Sequence, residues 1–137
     1  MTKARDLSIL ISGINTDLPA TALDVSGVAL AESLQEASGA LSGTTPTIDA
    51  DTSGAFTLTT SGDTTFTFSS VTSGRSVGFM LQLTAGGTHT ITWPASVDWA
   101  AATAPDAPAS GETNVYVFWT VDGGTTWYGF VSGKAMG

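Results

Sequence analysis

Few residues in this chain can do chemistry, and those few are scattered. Of 137 residues one is a histidine, His89, and none is a cysteine. That removes disulfides and thiolate metal sites. A nucleophilic triad needs a base held between a nucleophile and an orienting acid. His89 sits alone in T-H-T-I-T-W, a stretch of apolar alternation, so a packed or interface histidine is the plainer reading. Twelve carboxylates show no acid–base pairing of the kind glycoside hydrolysis uses. No glycine-rich phosphate loop is written in the sequence, where glycines mark turns instead. The four cations, Lys3, Arg5, Arg75 and Lys134, leave a formal net charge of −8. Such a chain repels nucleic-acid backbones and anionic lipid, which recruit lysine and arginine. The expectation is a protein with no catalytic residue, no cofactor, no metal, and neither nucleic acid nor membrane among its partners.

Two short motifs come nearest to a site. D-A-D-T-S-G, Asp49–Gly54, copies the first half of a calcium loop, with oxygens at positions one, three and five and glycine at six. Position twelve, which should be a chelating glutamate, is Thr60, so the plainer reading is a polar turn leading into a strand. T-V-D-G-G-T-T-W, Thr120–Trp127, fits the S/T-x-D-x-G-x-T-W pattern of the Asp-box, which resembles the blade hairpins of sialidases and other propellers. There an acid ties back to turn amides, glycine takes a positive φ, and tryptophan packs beneath. The motif occurs once here, and a carboxylate sugar would need more arginines than Arg5 and Arg75. Thr120, Asp122, Gly124, Thr126 and Trp127 are therefore read as a hairpin framework.

The elements that position these residues follow from periodicity. From Ile48 onward apolar residues recur every second position: Phe56 and Leu58, then Phe66 and Phe68, then Val77, Phe79, Leu81 and Leu83, then His89, Ile91 and Trp93. V-Y-V-F-W-T-V is apolar almost throughout, as in a central strand covered on both faces. S-G-D, A-G-G and D-G-G punctuate the strands, and residues 100–113 form a long Pro- and Ala-rich loop. Short strands at this spacing predict an antiparallel β-sandwich, jelly-roll-like, over residues 46–137.

Residues 1–45 hold no aromatic residue and cannot build a core alone. Leu7, Leu10 and Ile11 recur at helical spacing and predict a short helix over 3–12, closed by Gly13. Leu23, Leu30, Leu34 and Ala37 approach the same spacing, with Gly27 against it. Ser38–Thr47 has the composition of a linker. Holding such an arm in place costs conformational entropy, which packing against other chains would offset. No stretch approaches the ~20 apolar residues of a membrane span, and Asp6 with only a short apolar run argues against a signal peptide.

All four tryptophans, Trp93, Trp99, Trp119 and Trp127, lie in the last third of the chain. Aromatic faces stack on sugar rings. Trp93 and Trp119 fall inside core strands, whereas Trp99 and Trp127 lie near strand ends and are the candidates for a glycan contact.

The run I-T-W-P-A-S-V-D-W, T-A-P, S-G-E-T-N-V-Y-V-F-W-T-V-D-G-G-T-T-W-Y-G, ending near G-K-A-M, resembles a small β domain at the C-terminal ends of tailed-phage virion proteins. The resemblance spans residues 54–137. The opening T-K-A-R-D-L-S is similar to the start of many phage fibre proteins, where the N-terminal segment attaches to the virion. The resemblance implies a structural protein on the surface of a phage particle: a short homotrimeric fibre, attached to other tail or capsid proteins through an arm over residues 1–45 that includes Lys3, Arg5, Leu7, Leu10 and Ile11. No shaft or coiled coil lies between residues 13 and 46, which leaves two forms of this reading, a short tail fibre and a capsid decoration or head fibre; the tail fibre is favoured slightly, and no sequence feature settles the choice. Contact with a host surface glycan fits this reading. The alternative is a carbohydrate-binding module using exposed tryptophans.

Overall fold

The structure, a computed structural model, describes residues 36–69 and 71–136. The helix expected over 3–12, and the attachment residues Lys3, Arg5, Leu7, Leu10 and Ile11, lie outside the described residues. The described chain is mainly β. Its strands are β1 (Gly39–Ala40), β2 (Thr47–Ile48), β3 (Ala55–Thr59), β4 (Thr64–Thr65), β5 (Thr67–Phe68), β6 (Val77–Thr84), β7 (Ile91–Thr92), β8 (Val97–Trp99), β9 (Thr113–Thr120) and β10 (Trp127–Met136). Six of them form one sheet in the order β1-β3-β6-β9-β10-β8, while β2 pairs with β5 and β4 with β7.

The expected antiparallel ladder holds for β6–β9 and β9–β10. It fails elsewhere: β1–β3, β3–β6, β8–β10, β2–β5 and β4–β7 are all parallel. The cause is the path of the chain. The S-G-D turn does not close a hairpin, because the strands on either side of it belong to different sheets. Along residues 64–69 the amides of Thr64 and Phe66 donate to the carbonyls of Thr90 and Thr92, while those of Thr65, Thr67 and Ser69 donate to Thr44, Pro46 and Ile48. Consecutive residues of this stretch alternate between two neighbouring strands, and both pairings are parallel. This winding replaces the antiparallel Greek-key pairing of a jelly roll.

Residues 36–45 also take part. The segment with linker composition contributes β1, whose Gly39 stands opposite Phe56 of β3. The Leu41 amide donates to the Thr57 carbonyl at 2.8 Å, and its side chain packs on the core. The Glu36 carboxylate accepts the Gly54 amide.

Burial follows the alternation. Phe79, Leu81 and Leu83 of β6 are buried with Phe56 and Leu58 of β3 and Tyr116 and Phe118 of β9. Ile48 and Phe66 belong to the same cluster, and Phe68 packs against it. Phe68 meets Phe79, Phe118 and Trp127 edge-on, with centroids 5.0–5.5 Å apart, the geometry that aromatic quadrupoles prefer. Polar groups caught inside are paired: the Asn114 side-chain amide donates to the Tyr116 hydroxyl at 3.2 Å and its carbonyl accepts the Ala135 amide at 3.0 Å. Burial pushes the Tyr116 phenol above its ordinary value, and the Asn114 bond offsets part of that rise.

Candidate functional sites: the Thr120–Trp127 hairpin and the open sheet face

The connection between β9 and β10 is tied by two side chains. The Thr120 hydroxyl donates to the Asp122 carboxylate at 2.9 Å and accepts the Gly124 amide at 3.1 Å. The Asp122 carboxylate accepts the Thr126 amide at 2.9 Å. Gly123 and Gly124 take φ of 74° and 83°, the left-handed region where a side chain is strained. Gly124 lies against the Trp127 indole, so an added Cβ would come within 3.2 Å of its Nε1. The Thr126 amide, first, and the Thr120 hydroxyl hold the Asp122 carboxyl below its ordinary value. All five framework residues thus meet in one turn. Its hydrogen bonds run between its own residues, which makes the turn stiff.

The calcium-like segment is a turn bonded within itself and to its neighbours. The Asp49 carboxylate accepts the Asp51 amide at 3.1 Å and the Asp49 carbonyl accepts the Thr52 amide at 3.1 Å. The Ser53 hydroxyl donates to the Ala37 carbonyl at 2.8 Å. Thr60, at the chelating position, accepts the Gly86 amide instead. Among the described residues no group of three His, Asp or Glu side chains is placed to hold a metal ion. His89 is half-buried, with its ring beside Gly87.

The tryptophans sort differently from their order in the sequence. Trp99 is 8% exposed and Trp127 1%. Trp99 packs edge-on to Trp93, centroids 5.4 Å apart, and Trp93 stacks on Phe66 at 5.0 Å. A sugar needs a free ring face, and neither Trp99 nor Trp127 provides one, so the glycan contact expected of this pair is corrected. The burial has a simple cause. Strand β8 runs parallel to β10, which brings Trp99 opposite Gly129, where the missing side chain leaves room for the indole.

Trp119, placed in the core by its strand, is 43% exposed. It lies on the opposite face of the six-stranded sheet from Phe118. Tyr128 stands across from it in register, centroids 5.9 Å apart, and the Trp119 indole N–H donates to the Ser76 hydroxyl at 2.7 Å. In the next row Met80, Val117 and Phe130 are in register across β6, β9 and β10. Met80 is 52% and Phe130 53% exposed. Among the described residues strand β9 is therefore covered on one face only, and its apolar alternate positions belong to an open face. A hollow of about 360 Å³ beside it is lined by Asp98, Trp99, Tyr128 and Phe130 with the turn Ala100–Ala102. Ala101 and Ala102 hold φ of 55° and 53° there.

No signal in the sequence separated the open face from the buried one, because both carry apolar residues along β9. Register decides it. No family model, curated protein or solved structure matches the chain.

Proposed function

We propose that this chain is a non-enzymatic structural protein of a tailed-phage virion, a short homotrimeric surface fibre held to other virion proteins by its N-terminal arm, with a tail position ahead of capsid decoration. In this reading the β unit is a two-layer sandwich whose smaller layer is built from residues 44–48, 64–69 and 90–93. It projects from the particle and touches a host surface glycan. The reading starts from the sequence resemblance to virion β domains. The observation that carries it furthest is the open sheet face. A low-charge protein that leaves Met80, Trp119, Tyr128 and Phe130 half exposed is suited to assembly, since burying apolar area drives association. The internal hydrogen bonds of the Asp122 turn and the Asp49 turn fit a structural role as well. Mass spectrometry of purified phage particles, followed by labelling with an antibody against the β unit in electron micrographs, tests this. Tail labelling is expected. Head labelling selects capsid decoration, and absence of the chain from the particles overturns the proposal.

The carbohydrate-binding reading keeps one specific support, the exposed Trp119–Tyr128 pair, in place of Trp99 and Trp127. Glycan-array binding by a monomer, lost in Trp119→Ala, would select it.

A further inference from the structure

We infer that the open face of the six-stranded sheet is the surface through which copies of this chain meet, with the β6 side of one copy set against the β10–β8 side of the next. This rests on the homotrimeric reading above and specifies where its contact lies. The size of the patch is the first reason. Met80, Trp119, Tyr128 and Phe130 are each 39–53% exposed. An aromatic side chain presents roughly 150–250 Å², so Trp119, Tyr128 and Phe130 leave on the order of 270 Å² uncovered, to which half-exposed Met80 adds. That is near the largest apolar patch a monomer ordinarily shows, about 300–600 Å². It is about half of the roughly 800 Å² per partner in a standard interface, before the flanking valines and the strand edges are counted.

Charge selects the occupant. The chain carries a net charge of −8, so two copies repel except where they approach through an uncharged surface. Across β3, β6, β9 and β10 the two central rows of this face carry no charged side chain: one runs Ala55, Met80, Val117, Phe130, and the next joins Gly78, Trp119 and Tyr128 before it reaches Asp98 of β8. Charged residues stand around these rows, with exposed Lys134 farther along β10. Exposed Arg75 immediately precedes Ser76, the partner of the Trp119 indole, on the β6 side. Exposed Asp98 stands beside Tyr128 on the β8 side. In a cyclic trimer each copy offers one edge of a patch to the other edge of its neighbour's patch. That arrangement brings Met80 toward Phe130 and Arg75 toward Asp98. A sugar fits this face less well. Its hydroxyls would be left without partners over Met80, Val117 and Phe130, which is costly once water is excluded.

Sedimentation equilibrium of the full chain and three variants tests the inference, with near-UV circular dichroism as the check on folding. The wild type is expected at three times the protomer mass. Met80→Glu and Phe130→Glu are expected as folded monomers, and Val121→Glu, exposed on the β9–β10 turn, as a trimer. Asp98→Arg is expected to weaken the trimer, and Arg75→Asp combined with Asp98→Arg to restore it. Hydroxyl-radical oxidation of Met80, read by peptide mass spectrometry, is expected to be slow in the wild type and fast in Phe130→Glu. A trimer that survives both glutamate variants, with Met80 oxidised at the free rate, overturns this interface and leaves the trimer standing. A wild-type monomer overturns the trimer and the interface together, while the particle-labelling experiment still decides the virion reading. A monomer whose Met80 is protected, or whose Trp119 fluorescence is quenched by sugar, assigns the face to another occupant and overturns the inference.

Discussion

Trp119 and Tyr128 face each other across the β9–β10 ladder with ring centroids 5.9 Å apart, and both stand on the outside of the sheet, while Trp127, one residue away from Tyr128, is almost completely buried. Adjacent strand positions point to opposite faces, so one step along β10 separates a core tryptophan from an exposed aromatic pair. Truncating the two tryptophans should therefore have unequal effects. Trp127→Ala removes a ring packed on Phe68 and Phe79 and is expected to cost about 3–5 kcal/mol of stability. Trp119→Ala in a face variant that is already monomeric is expected to cost less than about 1 kcal/mol. Urea unfolding of the two variants checks this, and equal losses would contradict the assignment of faces.

The β9–β10 turn should depend on Thr120 more than on any other hydroxyl. Thr120 is fully buried, and its single oxygen serves both the Asp122 carboxylate and the Gly124 amide. Thr120→Val keeps the shape and removes these bonds together with the longer one from the Asp122 amide. The expected loss is about 1–3 kcal/mol, the usual cost of leaving such partners unsatisfied. Thr120→Ser, which keeps the hydroxyl, should retain most of the stability. Equal destabilisation by Val and Ser would show that packing of the methyl group, and not the hydrogen bonds, holds the turn.

Gly129 is the position where a single methyl group should disturb the core. A Cβ there would come within 2.8 Å of the Trp99 ring and 2.9 Å of the Val97 side chain. Gly129→Ala is expected to destabilise by about 1–3 kcal/mol, the range for overpacking, and to change the near-UV circular dichroism of the tryptophan cluster. Gly74, which has open space around it, is a poor control because its φ is positive. Thr72→Ala, on the exposed segment nearby, is the better one and should leave the spectrum unchanged.

The parts of this fold that were legible in sequence are those decided within a few residues. The period of two in β3 and β6 named their buried faces, and the T-x-D-x-G-x-T-W spacing named the turn between β9 and β10. What the sequence left open is decided by pairing between distant segments. S-G-D marks a reversal after β3, but a reversal can lead to a neighbour in the same sheet or across the core, and only the bonds from 64–69 to 44–48 and 90–92 distinguish the two. The same holds for the tryptophans. Trp119 lies mid-strand and Trp99 near a strand end, which suggested burial for the first and exposure for the second. The parallel pairing of β8 with β10 reverses this by setting Trp99 over Gly129 and leaving Trp119 on the uncovered face.

Acid should loosen the Asp122 turn before it affects the core. The Thr126 amide and the Thr120 hydroxyl stabilise the ionised carboxylate, so its folded-state value lies below its unfolded one. The folded chain then binds fewer protons than the unfolded chain, and stability from this group is present above the unfolded value and declines as pH falls through it toward the folded value. With an ordinary aspartate near 3.9, the loss belongs below about pH 4. Asp122→Asn cannot titrate. It is expected to be less stable than the wild type at neutral pH, with the difference shrinking as pH falls from about 5 to 3. Because the carboxylate is exposed, added salt should also reduce the difference. Thermal unfolding of both proteins across that range, at low and high salt, reads the effect directly. A gap that stays constant with pH would mean that the side chain acts through its shape alone.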